Sequence, residues 1–287
     1  MNPSDLEQFP AHRFNPIPSP PLMIQDLRIA LVQTSIHWEN PGANRLHLVS
    51  FLEKVVPGST DIVVLSEMFT TGFSMQPERI AESFSQQMDT LQWMRVWAAQ
   101  LDCVITGSVA VSEHGRYFNR LLWVRPDGSF AQYDKRHLFR MAGENKQYTP
   151  GEIAVVEAWR GWRICPLICY DLRFPVWSRN KLVGDTPLYD VLIYVANWPA
   201  VRREPWMKLA LARAIENQCY VAAVNRIGED GNGHAYSGDS SLIDPKGVYL
   251  VAPSEEDGIL HAAFSRKGLA DFRLQFPVLN DADEFEI

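Results

Sequence analysis

The sequence predicts an α/β fold of mixed sheets with helices outside, on three observations. Short apolar runs of strand length alternate with segments whose apolar residues recur at helical spacing. Turns rich in Gly, Pro and Asp join several of the runs as hairpins. Neither an internal repeat nor a linker interrupts the stretch from Leu27 to Phe276. Residues 26–287 are therefore expected to form one domain. The start, residues 1–25, carries Pro3, Pro10, Pro16, Pro18, Pro20 and Pro21 and is expected to be an extension outside the core fold.

The elements follow in order. Leu27 to Gln33 reads as the first strand, and a helix from about Ala43 to Val56 carries Leu46, Val49, Leu52 and Val56 at helical spacing. Asp61 to Leu65 is a short apolar run, as in a strand covered on both faces. A second helix spans about Gln86 to Leu101, with Trp93, Met94 and Trp97. Three strands then form a meander: Cys103 to Val111, Asn119 to Val124 and Ser129 to Tyr133, with turns at Glu113-His-Gly115 and Pro126-Asp-Gly128. The second half repeats the alternation. Trp162 to Ile168 is a strand, Phe174 to Lys181 a short helix and Asp190 to Ala196 a strand. The helix from Pro205 to Gln218 has its proline in the first turn, where a missing N–H costs little. Strands follow at Tyr220 to Asn225, Ser240 to Ile243, Val248 to Ala252 and Ile259 to Phe264, with Asp244-Pro-Lys-Gly247 as a hairpin turn.

Composition narrows the function. The chain has 287 residues, 46% of them hydrophobic, enough for a sizeable core. A net charge of −7 and the absence of a basic block argue against nucleic acid as partner. No apolar run reaches the roughly 18 residues of a membrane helix. The start lacks the basic-then-apolar pattern of a secretory signal. Cys103, Cys165, Cys169 and Cys219 are expected to be reduced thiols of a cytoplasmic protein. Cys165 and Cys169 have no His cluster beside them, which speaks against zinc. Glu229-Asp-Gly-Asn-Gly233 lacks the ligand ladder of a calcium loop and reads as a glycine-rich turn.

Three chemically useful side chains share one structural position. Glu67 follows the strand Asp61 to Leu65, Lys135 follows Ser129 to Tyr133, and Cys169 ends Trp162 to Ile168. Ligand sites in α/β sheets gather beyond the carboxyl ends of strands. A thiol nucleophile, a carboxylate base and an ammonium for an oxyanion make a working set there. The turn Tyr170-Asp171 and the expected helix after it place Cys169 at a helix N-terminus, a setting that lowers a thiol pKa.

The words around these residues are Ser66-Glu-Met-Phe69 with Thr71-Gly-Phe73, Tyr133-Asp-Lys-Arg-His-Leu-Phe139 and Ile168-Cys-Tyr-Asp-Leu-Arg-Phe-Pro175. In these words and their order the chain resembles the nitrilase superfamily of carbon–nitrogen hydrolases, from about Leu27 to the C-terminus. Tyr194-Val-Ala-Asn-Trp-Pro199, Ala212-Arg-Ala-Ile-Glu-Asn217 and Tyr236-Ser-Gly-Asp-Ser240 match as well. Asp134 to Met141 and Arg173 to Arg179 look most like the omega-amidase branch, whose members hydrolyse the terminal amide of 2-oxoglutaramate and similar 2-oxo acid amides. The resemblance implies Glu67, Lys135 and Cys169 as catalytic residues. It implies Glu144 as a second glutamate ahead of Thr149-Pro-Gly151, with Glu152 the competing choice. It also implies a four-layer αββα sandwich, a homodimer or higher homo-oligomer, a Cys thioester and a small-molecule amide substrate. The chemistry needs no cofactor and no metal.

The backbone N–H of Tyr170 is expected to be the second oxyanion donor. Arg202 and Arg203, beyond the strand end at Asn197-Trp-Pro199, are candidates for a substrate carboxylate, and Arg173 is expected instead to pair with Asp171. Phe69, Phe73 and Trp198 would wall the pocket. His137 reads as a structural histidine, and Arg213 with Glu216 as a helix-surface pair. The alternatives are a related carbamoyl or deaminated-peptide amide hydrolase, or a non-catalytic scaffold of the same fold.

Overall fold

Period-two alternation along the strands decides which residues face which layer. The computed structural model describes residues 25–283. In the strand Leu27–Gln33, Leu27, Ile29 and Leu31 face a second sheet and share a core cluster with Ile164, Ile168, Ile193 and Val195. Ala30 and Val32 face the other way. They pack on Leu48, Phe51 and Leu52 of the helix Pro41–Leu52 and on Leu91, Met94 and Leu101 of the helix Asp89–Leu101. Beyond the second sheet lies the helix Arg203–Asn217, which buries Trp206, Ala210 and Ala214. The layers run helix, sheet, sheet, helix, as the resemblance implied.

The first sheet is ordered Gly258–Phe264, Leu27–Gln33, Ile62–Val64, Val104–Glu113, Arg116–Val124, Phe130–Asp134. Its three strands Leu27–Gln33, Ile62–Val64 and Val104–Glu113 are mutually parallel. In the second sheet Trp162–Ile168, Val191–Ala196 and Tyr220–Asn225 are parallel. Two antiparallel steps turn Phe130–Asp134 back into the direction of Val104–Glu113. Its C-terminal end thus lies with those of the parallel strands.

Helix ends follow local rules. Asn40 accepts a hydrogen bond from the Ala43 N–H at 3.1 Å, with Pro41 in the first turn. The helices Asp89–Leu101 and Arg203–Asn217 end in left-handed residues, Asp102 and Gln218.

Two expectations need correction. The helix expected at Phe174 to Lys181 is absent. A 3-10 helix, Cys169–Arg173, begins at the cysteine itself, and a turn at residues 175–178 follows. Asp171 is the reason. Its side chain accepts the Ile168 N–H at 3.0 Å and starts the helical turn five residues early. The segment after Phe264 holds an unexpected helix, Arg266–Gln275, capped by Ser265. Its sequence has few apolar residues and a Gly in the first turn, so its periodicity is weak. The proline-rich start up to residue 24, and the last four residues of the acidic end, lie outside the described residues.

Candidate active site

Each of the central residues sits just past a strand end. Glu67 follows Ile62–Val64 by three residues, Lys135 follows Phe130–Asp134 directly, and Cys169 follows Trp162–Ile168 directly. The Glu67 loop is held against the next strand: the Met68 N–H donates to Ser108 Oγ at 2.9 Å and the Phe69 N–H to the Ser108 carbonyl at 3.1 Å. Gly107 permits this approach, since a Cβ there would lie 2.8 Å from Leu65 Cβ and 2.9 Å from the Phe69 ring. Gly151 serves the Lys135 side in the same way. Its N–H donates to the Lys135 carbonyl at 2.9 Å, and a Cβ would stand 2.1 Å from the Asp134 carbonyl oxygen. Met68 and Cys169 have φ of 41° and 44°, the left-handed region that side chains disfavour. Local strain therefore sits next to Glu67 and at Cys169 itself.

The side chains converge. Lys135 Nζ donates to Glu67 Oε1 at 2.8 Å and to both Glu144 oxygens at 2.9 Å. The Cys169 thiol lies near enough to the Glu67 carboxylate to feel its charge. Glu67 Oε2 accepts the Asn197 N–H at 2.7 Å. Asn197 Nδ2 donates to the Glu67 carbonyl at 2.6 Å. Asn119 Nδ2 donates to Glu67 Oε1 at 2.8 Å and to Glu144 Oε1 at 3.3 Å. The Phe139 N–H closes on Glu144 Oε2 at 2.5 Å. Glu67 and Glu144 are fully buried, and Glu152, the competing choice, is exposed.

Two carboxylates share one ammonium here. Burial alone would lower the Lys135 pKa, but the charges of Glu144 and Glu67 outweigh it and the group stays cationic. Burial pushes Glu144 upward, opposed by Lys135 and reinforced by Glu67. Burial and the negative Glu67 push the Cys169 thiol well above its ordinary value, against the pull of Lys135. The lowering expected from a helix N-terminus is therefore overturned. A five-residue 3-10 turn is too weak to offset desolvation and the charge of Glu67.

The family profile of the carbon-nitrogen hydrolases matches residues 28–274. The chain belongs to that family. Among carbon-nitrogen hydrolases it is 47% identical to omega-amidase YafV of Escherichia coli over 91% of this chain and 98% of the relative. It is 32% identical to 2-oxoglutaramate amidase of Bacillus subtilis, over 88% of this chain and 96% of that one. A crystal structure of a CN-hydrolase superfamily protein from Xanthomonas campestris, with an arsenic adduct in its active site, superposes with a TM-score of 0.89. It is 44% identical and covers 91% of this chain and 99% of its own.

In this carbon-nitrogen hydrolase the cluster opens into a cavity of about 410 Å³, lined by Cys169, Lys135 and Asn197 together with Phe73, Phe139, Tyr170 and Trp198. Phe73, Tyr170 and Trp198 were expected there. Phe69 was too, but it packs in the core behind Glu67. Arg202 lines the cavity, its guanidinium over the Phe139 ring at 5.3 Å. Arg203 does not line it: it pairs with Asp239 at 2.7 Å and with Glu255 at 2.6 Å. Arg173, expected to pair with Asp171, lines the cavity instead, 4.8 Å over the Trp198 ring. Asp171 is taken by other donors: the His137 N–H at 3.0 Å, His137 Nδ1 at 2.8 Å and Tyr133 Oη at 2.7 Å. That carboxylate ties the Lys135 strand to the Cys169 turn and gives His137 the structural part expected of it.

Sequence reasoning missed Asn119 and Asn197. The signal for Asn119 was a lone amide in the apolar strand Arg116–Val124, and buried polar groups must be hydrogen-bonded.

Proposed function

We propose that the chain is an amidase that hydrolyses the terminal amide of a small 2-oxo acid amide, of the 2-oxoglutaramate kind, to the acid and ammonia. The observation that carries this is the Lys135 ammonium bonded to the Glu67 carboxylate beside the Cys169 thiol, with Lys135 and Cys169 on the wall of one cavity. The omega-amidase and 2-oxoglutaramate amidase relatives supply the substrate class.

Glu67 takes the thiol proton as the substrate seats, and the sulfur attacks the amide carbon. The oxyanion that forms is held by the Lys135 ammonium and the Tyr170 N–H. Losing one such donor raises the barrier by about 3 kcal/mol. The carbonyl reforms, the C–N bond breaks, and Glu67 hands its proton to the departing nitrogen. A thioester on Cys169 and free ammonia result. Glu67 then takes a proton from water, whose oxygen attacks the thioester, and returns it to the sulfur as the acid leaves. Glu144 holds Lys135 in place and orients the water or substrate. The substrate carboxylate lies against Arg202 and Arg173, which among the described residues have no carboxylate partner. Trp198 and Phe73 wall the carbon chain.

Four free cysteines accord with a reducing cytoplasm, and the enzyme is taken to act as a homodimer. Cys169→Ala decides the chemistry. The wild type should release ammonia from 2-oxoglutaramate and show an acyl-enzyme by intact-protein mass spectrometry. The variant should do neither, with turnover down by about 1,000-fold or more. Turnover retained in Cys169→Ala removes the thioester.

A further inference from the structure

The cavity is electrically uneven along its depth. At its floor lies Lys135, and behind Lys135, off the lining itself, lie Glu67 and Glu144; all three are at most 1% exposed, and the two carboxyl groups share a single ammonium. Toward solvent, Arg173 and Arg202 line the same cavity, are only partly buried, and are set over the aromatic faces of Trp198 and Phe139. Among the described residues on the lining, Asp230 is the one acidic side chain. Its oxygens are occupied by the Tyr236 hydroxyl at 2.9 Å and by the N–H groups of Asn232 and His234 at 2.8 and 3.0 Å. The outer part therefore favours an anion and the floor does not.

Resting on the amidase reading, we propose that the site sorts ligands by the charge at each end. Arg173 and Arg202 demand an anionic group outward, and Glu144 with Glu67 rejects an anionic group at the thiol. A monoamide of a dicarboxylic acid satisfies both ends. Its hydrolysis product does not, because the new carboxylate would be a third acid on one buried ammonium. Like charges brought together in a desolvated site repel strongly, and a single cation cannot compensate three. The floor thus discriminates against the acid it has just made, and specificity here comes as much from repulsion of the product as from attraction of the substrate. Glu144 becomes a specificity-determining residue, and the cell's dicarboxylates are poor competitors for the site.

The test uses the full chain as Cys169→Ala, which binds without turnover, titrated calorimetrically at pH 8 with 2-oxoglutaramate and separately with 2-oxoglutarate. The expected result is a Kd for the dicarboxylate at least about tenfold above that for the monoamide. Equal affinities, or a tighter dicarboxylate, overturn the sorting, and this ratio is decisive even if further variants fail to fold. In Cys169→Ala/Glu144→Gln the gap should shrink to about threefold or less. A gap unchanged there, in protein with native circular dichroism, overturns the role of Glu144. Replacing both arginines by Met in the Cys169→Ala background should weaken both ligands by about tenfold or more. Unchanged affinity removes the arginines from the scheme. If Cys169→Ala binds no 2-oxoglutaramate and the wild type releases no ammonia from it, the amidase reading itself falls and takes the sorting with it.

Discussion

At Cys169, burial and the Glu67 carboxylate hold the thiol protonated. In the mechanism we propose, the nucleophile is made only when its proton moves to Glu67, so the resting enzyme should be a poor target for electrophiles that do not bind the site. The sign is fixed by the direction of the shift. With the pKa raised, the thiolate fraction climbs about tenfold per pH unit across the neutral range and does not level off there. Iodoacetamide alkylation of Cys169, followed by mass spectrometry between pH 6 and 9, should rise throughout; a plateau below pH 8 would mean a preformed thiolate. Cys103 and Cys165 are pushed up to about 12 by burial and should stay unlabelled. Glu67, Lys135 and Cys169 were legible in the sequence because the words around them are local. The partners that orient them were not, since Asn119 and Asn197 reach Glu67 from 52 and 130 residues away.

Asp190 opens the strand Val191–Ala196 and binds three arginines from two other elements. Arg163 comes from the neighbouring strand at 3.0 Å, and Arg266 and Arg273 from the last helix at 2.9 and 2.7 Å. Burial raises its pKa, but the three cations outweigh this and bring it down to about 2. That is below the unfolded value of about 3.9, so its contribution is complete above about pH 4 and is lost as pH falls through 2. Asp190→Asn should destabilise the fold by about 3 kcal/mol at pH 7, because three arginines lose their counter-charge. Urea melts at pH 7 and pH 3 measure both. A variant as stable as wild type at pH 7 would show that the arginines are satisfied by solvent. The same clamp explains the unforeseen helix Arg266–Gln275: its two arginines meet a carboxylate some 80 residues away, and no periodicity within the segment announces that.

Over the whole molecule, two sheets meet face to face and bring six parallel strand ends to one side, where the cavity opens. The homodimer we propose has a physical motive at the other end of the chain. Leu274 and Phe276, at the end of the last helix, are 82% and 59% exposed. Sedimentation equilibrium should give twice the 32.7 kDa chain mass, and Leu274→Glu with Phe276→Glu should shift it toward the single chain. A wild type at 32.7 kDa would remove the dimer. The alternation of strands and most helices was readable from the hydrophobic period, and the proposed catalytic residues and the layer architecture from short motifs that resemble a known family, because period and motif are local properties of the chain. The tertiary structure decided the rest: that Glu144 and not Glu152 joins Lys135, that Arg173 and not Arg203 faces the cavity, and that the thiol pKa moves up. Each of these turns on distance and desolvation between segments remote in sequence, and no local pattern encodes either.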